Sequence, residues 1–505
     1  MFLNYQFSFH NPYLASMKSK YLLLFVLFVA SNLFAQQSNY QKQFDAIHRV
    51  IEGYNRQDFS MMQELWFGFG KLIITNKQLE KEFKPFYQKY GSAIIDTISF
   101  SNRYDFTAQL RMLKSPSARV FMHFLFNDNG KIEGMGWAYP PLIYRKHQKK
   151  IVPNLFLATN LDSLIQIKHI RNKELPFNGG VLVLHKNKAV YRKSFGYANY
   201  DTKEVLNDSS LFEFASCSKQ FTAAAIVLLQ RKALLKEEDL IQKFIPDFPY
   251  ANIQLKHLLT HTSGLPDYEM MLEKNWDKTR FATNEDVLNM LKDKRPKILF
   301  EPGQRFEYSN TGYMVLSSII EKVSGQTYAQ FLDSAIFKPL GMTSTRVYHT
   351  RRWKKELLPN YAYGFEYSNK KNSYVLADSL KEYDEVIYQD AITGDGTVNS
   401  NLIDLQKWDE SLSKNILFSK EELDGIYSKQ TLKDGTAIEY GKGVFIQQGG
   451  GVEKLVYHTG SWPGYLCIMM RFVDQDVSIY ILSNNAYSRF SEMADQIAAE
   501  ILEGF

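Results

Sequence analysis

Residues 214–226 read Phe-Ala-Ser-Cys-Ser-Lys-Gln-Phe-Thr-Ala-Ala-Ala-Ile, a short polar stretch that leads into an apolar run. A helix that begins near Ser216 places Lys219 three residues further on, on the same face and within reach of the serine hydroxyl. Burial beside the apolar run would lower the pKa of the lysine, so that its amine could accept the serine proton near neutral pH. The stretch therefore predicts a serine nucleophile with a lysine base.

The same serine–lysine spacing occurs twice more, at Ser368 and Lys371 and at Ser411 and Lys414. Both of these pairs lie in polar surroundings, and neither opens an apolar helix. A solvated surface is therefore the better interpretation of each, and we expect chemistry at Ser216 alone.

A second stretch, residues 307–313, places Tyr308 and Asn310 at a predicted loop-to-helix junction. A tyrosine near a lysine can relay protons, and an asparagine amide can fix a substrate carbonyl. The alternative is a tyrosine that only anchors the loop.

A third stretch, residues 457–461, reads Tyr-His-Thr-Gly-Ser at the end of a predicted strand. Gly460 would let a substrate lie against the strand edge, and the amide of Ser461 could pair with that of Ser216 as an oxyanion hole.

Taken in order, the three stretches resemble the serine β-lactamase/penicillin-binding-protein-like family, in its class C β-lactamase, DD-peptidase and esterase branch. Residues 258–265, 337–342 and 394–398 are also similar to that family, so the resemblance covers roughly residues 161–505. It implies an α/β (α+β) fold, with an antiparallel sheet flanked by helices and an all-helical insert. The pattern along the chain agrees, since strands are predicted at both ends of this segment and helices between them.

By that resemblance, Ser216 would be the acyl-accepting nucleophile, Lys219 its general base, and Tyr308 the group that passes protons to and from the leaving group. No metal or organic cofactor is implied. The substrate-binding residues would be Asn310, which holds the substrate amide, His458 and Thr459, which line the opposite wall, and Gly460 and Ser461.

The resemblance implies hydrolysis of an ester or amide through an acyl-enzyme. The substrate stays open among D-amino-acid or cell-wall peptides, esters and β-lactams. Many β-lactamases of the family have lysine where this chain has His458, and a mostly neutral histidine attracts a substrate carboxylate less strongly. Efficient β-lactam hydrolysis is therefore less expected. The alternative function is a penicillin-binding or sensing protein that is acylated at Ser216 without efficient turnover.

Composition excludes other classes of function. The net charge of the 505 residues is only +6, with no basic block large enough to follow a phosphate backbone, so nucleic acid is not an expected partner. His257 and His261 have a spacing that could hold zinc on one helix face, but no third ligand is identifiable and structural roles are favoured.

The two cysteines, Cys217 and Cys467, form either one bridge or two buried free thiols.

The N-terminal region predicts export. We expect translation to start at Met17. From there, a basic n-region, an apolar run at 21–30 and a small-residue cleavage point after Ala35 predict a signal peptide, residues 1–35. The product would be periplasmic or extracellular. A retained membrane anchor is the alternative, although the run is shorter than the roughly 20 residues of a spanning helix.

Three more segments follow the signal. Residues 36–139 predict helices and then an antiparallel meander, an order similar to that of the small α+β NTF2-like (cystatin-like) modules. Residues 140–157, with prolines and a basic run, predict a linker. Residues 158–505 form the predicted hydrolase domain.

Overall fold

The computed structural model describes residues 41–138 with several gaps, the longest being 66–78 and 127–131, then residues 161, 162 and 165, and residues 176–504 except 369–370, 450–451 and 487–489. Two compact units divide the chain, Met1–Pro141 and Leu142–Phe505. The predicted signal peptide and linker lie outside the described residues.

The first unit carries helices followed by an antiparallel sheet. Helices α1 and α2 span Gln41–Arg56 and Phe59–Gln63, and strands β1 to β4 pair in chain order. These strands span Ala93–Asn102, Asp105–Met112, Ser115–Phe126 and Ile132–Ala138. The helical spacing of the sequence places Ile47, Val50, Ile51 and Tyr54 in the core of this unit. Its likeness to NTF2-like modules stays a prediction.

The second unit is built on a six-stranded antiparallel sheet made from both ends of its chain segment. Its strands are β5 Gly179–His185, β6 Lys188–Phe195, β7 Phe445–Gly449, β8 Val452–Trp462, β9 Tyr465–Phe472 and β10 Val477–Ser483. They lie in the order β7-β8-β9-β10-β5-β6, so the first hairpin joins the sheet beside the last strand. The sequence predicts this arrangement except for β7.

Helices cover both faces of this sheet. Along β5, Leu182 and Leu184 pack into the core shared with the helical insert, while Val181 and Val183 pack against the C-terminal helix. This alternation follows from the two-residue period of a strand, and it explains why residues 181–184 are all apolar.

The insert is mainly helical. Its helices, with the C-terminal one, are α3 Lys219–Arg231, α4 Leu255–Leu259, α5 Tyr268–Asn275, α6 Asn284–Lys294, α7 Asn310–Ser324, α8 Tyr328–Leu332, α9 Glu385–Tyr388, α10 Leu402–Ser413, α11 Lys420–Ile426 and α12 Phe490–Gly504. Single turns of 3-10 or π helix span Ala215–Ser218, Ile241–Lys243, Asp333–Phe337, Ala377–Ser379 and Lys381–Tyr383. Within the described residues, no helix has the length and apolar character that crossing a bilayer requires.

Short strands interrupt the segment that the sequence predicts as wholly helical. They are Tyr197–Asn199, Glu204–Val205, Phe212–Glu213, Arg346–Val347, Phe365–Ser368, Ser373–Leu376, Val398–Ser400, Gln430–Thr431 and Ala437–Ile438. Each has two to four residues, too few for a two-residue period to be recognised in a sequence. One of them, Val398–Ser400, supports the predicted nucleophile.

Candidate active site

Ser216 lies in a single 3-10 turn, Ala215–Ser218, that leads directly into helix α3 at Lys219. The preceding residue, Ala215, has a φ of +44°, a left-handed conformation that costs an L-residue roughly 1–2 kcal/mol. Strain of this kind persists only where the surrounding structure enforces it.

Two neighbouring segments enforce this conformation. The amide of Phe214 donates to the carbonyl of Val398 at 3.0 Å, and the amide of Val398 donates to Ser218 Oγ at 3.0 Å. On the other side, a Cβ at Gly460 would lie 2.3 Å from the carbonyl oxygen of Phe214. Gly460 therefore lets strand β8 pack against the nucleophile turn, and its place beside a substrate stays a prediction.

Lys219 is buried, with none of its surface exposed. Its Nζ lies 3.0 Å from Ser216 Oγ, 2.8 Å from Asn310 Oδ1 and 2.9 Å from the carbonyl oxygen of Asp395. Burial lowers the pKa of Lys219 to about 8, although the charges of Asp395 and Glu269 oppose this shift. As a neutral amine, Lys219 can donate to Asn310 and Asp395 and direct its lone pair at the serine hydroxyl, as a general base requires.

Asn310, the first residue of helix α7, links this lysine to a carboxylate. Its Oδ1 accepts from Lys219, while its Nδ2 donates to Glu269 Oε1 at 2.8 Å. The side-chain amide that the sequence analysis assigns to substrate is thus already shared between two protein groups.

Two acidic residues beside the lysine are absent from the sequence-based set of site residues. Burial, followed by the charge of Asp395, raises the pKa of Glu269 to about 7. Burial also raises the pKa of Asp395, which accepts from the Tyr268 hydroxyl at 2.8 Å. Asp395 lies within a family-like stretch, 394–398, but no spacing in the sequence points to Glu269.

Tyr308 reaches the same place from the loop before helix α7. Its ring lies 5.0 Å from Lys219 Nζ and packs on His261, with 4.2 Å between the ring centroids. Burial of its hydroxyl raises the pKa of Tyr308, and interaction with the Ser216 side chain opposes this rise. The tyrosine is therefore a neutral phenol that can donate a proton beside the serine.

His458 is buried beside Tyr308, with 6.0 Å between the ring centroids. It is 1% exposed, its Nε2 lies 3.1 Å from the Tyr440 hydroxyl, and its Nδ1 lies 2.6 Å from the carbonyl oxygen of Thr459. Burial, with a smaller contribution from Lys219, lowers the pKa of His458 to about 3. The ring is therefore neutral, and Thr459 beside it is exposed.

Ser216 opens into a cavity of about 170 Å³. Asn310, Glu269, Asp395 and Ser461 also line it. Pairing between β7 and β8 ends at Tyr457, so residues 458–462 have a strand partner on one side only. Ser216 and Ser461 thus share one cavity, and their pairing as an oxyanion hole stays a prediction.

The two histidines with zinc-like spacing and the two cysteines have structural contacts. His257 Nδ1 accepts from the amide of Gln254, and His261 Nδ1 accepts from that of Ser309. Both cysteines are free and buried: Cys217 Sγ donates to the carbonyl of His458, and Cys467 Sγ to that of Phe214. Within the described part of the chain, no group of three or more potential ligands is arranged for a metal ion.

We expect the rate at which Ser216 is acylated to rise with pH and to level off above about pH 8. Lys219 accepts the serine proton only as a neutral amine, so the rate should fall about tenfold per pH unit below its pKa. Glu269→Gln removes a charge that raises the pKa of Lys219, so the rise in acylation rate should occur at lower pH in this variant. Stopped-flow pH profiles of both proteins measure the shift. Identical profiles would contradict the role of Lys219 as the general base.

A partly exposed serine beside a buried lysine and a neighbouring tyrosine, set between an antiparallel sheet and a helical segment, defines the class of serine hydrolases. The sequence profile described as Beta-lactamase matches residues 176–503. The chain belongs to the beta-lactamase family.

Individual proteins show the same relationship. The chain is 43% identical over 324 residues to penicillin-binding protein 4* of Bacillus subtilis (strain 168), covering 64% of this chain and 72% of that protein. It is 24% identical over 318 residues to a D-aminopeptidase of Brucella anthropi, covering 61% and 56%. The crystal structure of a penicillin binding protein from Bacillus halodurans shares the fold, with a TM-score of 0.57, 23% identity and coverage of 67% and 98%.

Proposed function

We propose that the protein is an exported hydrolase that cleaves amide bonds of D-amino-acid peptides or amides through an acyl-enzyme on Ser216. The observation that carries the proposal is the 3.0 Å contact between Ser216 Oγ and Lys219 Nζ. In the cycle, Lys219 takes the serine proton, Tyr308 passes a proton to the leaving amine, and water then releases the acyl group.

The charge of the cavity supports a substrate with a free amino group. Glu269 and Asp395 both line the cavity beside Ser216. The guanidinium of Arg352, which also lines it, is already paired with acidic residues. An ammonium group of the substrate would therefore find a carboxylate at Glu269, and its arrival would favour the ionised form of that side chain.

The same electrostatics argues against β-lactams as preferred substrates. A β-lactam antibiotic presents a carboxylate, whereas this site has a neutral, buried His458 where a lysine would supply a positive charge. The name of the Brucella anthropi relative, a D-aminopeptidase, adds to the support for a substrate with a free amine. Export rests on the signal-like residues 17–35.

The purified protein is expected to hydrolyse D-alanine p-nitroanilide at least about tenfold faster, as kcat/KM, than its N-acetylated form. A charged hydrogen bond between the substrate ammonium and Glu269 is worth roughly 1.5–3 kcal/mol, which corresponds to that factor or more. Glu269→Gln should therefore lower the ratio of kcat/KM for the free amine to kcat/KM for the N-acetylated substrate about tenfold to hundredfold, because the accompanying shift in the Lys219 pKa acts on both substrates alike.

Glu273→Gln is the matched control, since Glu273 lies one turn further along the same helix and is exposed. Equal loss on both substrates in Glu269→Gln would contradict the ammonium site but not the hydrolase. A stable adduct of Ser216 with every substrate, without product, would instead establish the acylated binding or sensing protein.

A further inference from the structure

A second and larger cavity lies outside the site of Ser216. Its volume is about 350 Å³, within the range of small-molecule pockets, and it shares no lining residue with the nucleophile cavity. Its walls come from the segment around helix α4, from Gly303 and from residues 430–433. Nothing in the proposed reaction uses this space.

The walls of this second cavity are positively charged. Lys256 and Lys433 both line it, and none of its described lining residues carries a carboxylate. Both lysine charges act on His257, which also lines the cavity: burial first, and then these two lysines, lower the pKa of that histidine to about 4. Two lysines thus line one space, and its described walls hold no acidic residue.

The imidazole of His257 adds a directed donor. Its Nδ1 accepts the amide hydrogen of Gln254 at 3.1 Å, so in the neutral ring the proton resides on Nε2. Nε2 lies 3.5 Å from the place that a Cβ would occupy at Gly303, another lining residue. A side chain at 303 would take up space beside this donor, and the glycine leaves it open.

We propose that this cavity is a second ligand site, which binds a small molecule carrying a phosphate group between Lys256, Lys433 and the Nε2–H of His257. A phosphate monoester carries nearly two negative charges at neutral pH, which matches two lysines, and its oxygens accept from lysine ammonium groups as in other phosphate sites. The volume leaves room for the organic part of the ester. This inference does not depend on the substrate of Ser216.

The position of the cavity connects it to the active site. The amide of Gly303 donates to the carbonyl of Thr262 at 2.7 Å, and both residues line the cavity. His261, between the lining residues Thr260 and Thr262, packs on the ring of Tyr308. A bound ligand would therefore contact the same segment that supports the catalytic tyrosine.

Isothermal titration calorimetry on the full chain at low ionic strength, with glycerol 3-phosphate, inorganic phosphate and dimethyl phosphate, tests the site. We expect saturable binding of glycerol 3-phosphate, weakened about tenfold by Lys256→Gln and by Lys433→Gln. Lys420→Gln, an exposed lysine outside the cavity, is the control and should bind as the wild type does. Glycerol 3-phosphate should bind more tightly than dimethyl phosphate, which carries one negative charge, and equal binding of the two would contradict the match between two lysines and a monoester.

A second readout locates the ligand. In NMR spectra, the ring resonances of His257 should shift as glycerol 3-phosphate is added, because the anion offsets the two lysine charges. The absence of saturable heat with all three probes would overturn the proposal. Undiminished binding by the folded double variant Lys256→Gln/Lys433→Gln, or binding that leaves the His257 resonances unmoved, would also overturn it.

Discussion

Replacing Ser216 by alanine is expected to abolish turnover, lowering kcat by at least about ten-thousandfold, since removal of a serine nucleophile elsewhere costs as much or more. The expectation rests on geometry, because Ser216 Oγ is the hydroxyl within 3.0 Å of the buried Lys219 amine. Without that oxygen no acyl-enzyme can form, whatever the substrate. The variant should fold normally, since the turn is held through the backbone of Phe214 and the side chain of Ser218.

Intact-mass spectrometry with a chromogenic cephalosporin and with D-alanine p-nitroanilide, combined with absorbance, measures adduct and turnover together. Ser368→Ala is the matched control, because Ser368 has the same spacing to a lysine but lies on a short, partly exposed strand. We expect the control to retain full activity. If Ser216→Ala still gained the same mass from the substrate as the wild type does, the nucleophile would be another residue.

The contact between Ser216 and Lys219 was predictable because it is local. Residues three apart in a helical turn lie on one face whether the turn is 3-10 or α, so the real start of α3 at Lys219 does not separate the two side chains. Tyr308 and Asn310 lie about 90 residues away, and only the family resemblance brought them to the same site.

The environment of the site was not predictable in the same way. Glu269 reaches the site through helix α5, and its raised pKa depends on burial and on Asp395, which is 126 residues further along the chain. The burial of His458 depends on Tyr440, and the need for glycine at 460 depends on the backbone of Phe214. Each is a contact between segments that are separated along the chain, and the sequence of one segment does not indicate that it packs against the other.

The strands of the main sheet also differ in how clearly the sequence predicts them. β5, β9 and β10 are seven or eight residues long, rich in apolar residues and bounded by turns, which is typical of buried strands. β7 has only five described residues, Phe445–Gly449, and is an edge strand paired with β8 alone. A short strand with one partner needs less apolar sequence, so its pattern is weak.

Replacing Arg352 by methionine is expected to lower the free energy of unfolding by about 3–5 kcal/mol, the usual cost of removing one partner from a buried ion pair. Its guanidinium lies 2.5 Å from Glu213, 2.9 Å from Asp378 and 3.3 Å from Asp390, and its side chain is only 5% exposed. The methionine would fill the space but leave the buried carboxylates of Glu213 and Asp390 without this cation, whereas Asp378 would keep its ion pair with Arg351.

Denaturant unfolding measures the change, with Arg192→Met as the control. The ion pair of Arg192 and Asp208 is about one-third exposed, so its loss should cost less than about 1 kcal/mol. Because Glu213, Arg352 and Asp390 also line the cavity of Ser216, Arg352→Met should reduce activity along with stability. The stability of Arg352→Lys should fall between those of the wild type and Arg352→Met. A single ammonium cannot reach all three carboxylates in the directions that the planar guanidinium serves. Equal stability of Arg352→Met and Arg192→Met would show that the buried network contributes no more than a surface pair.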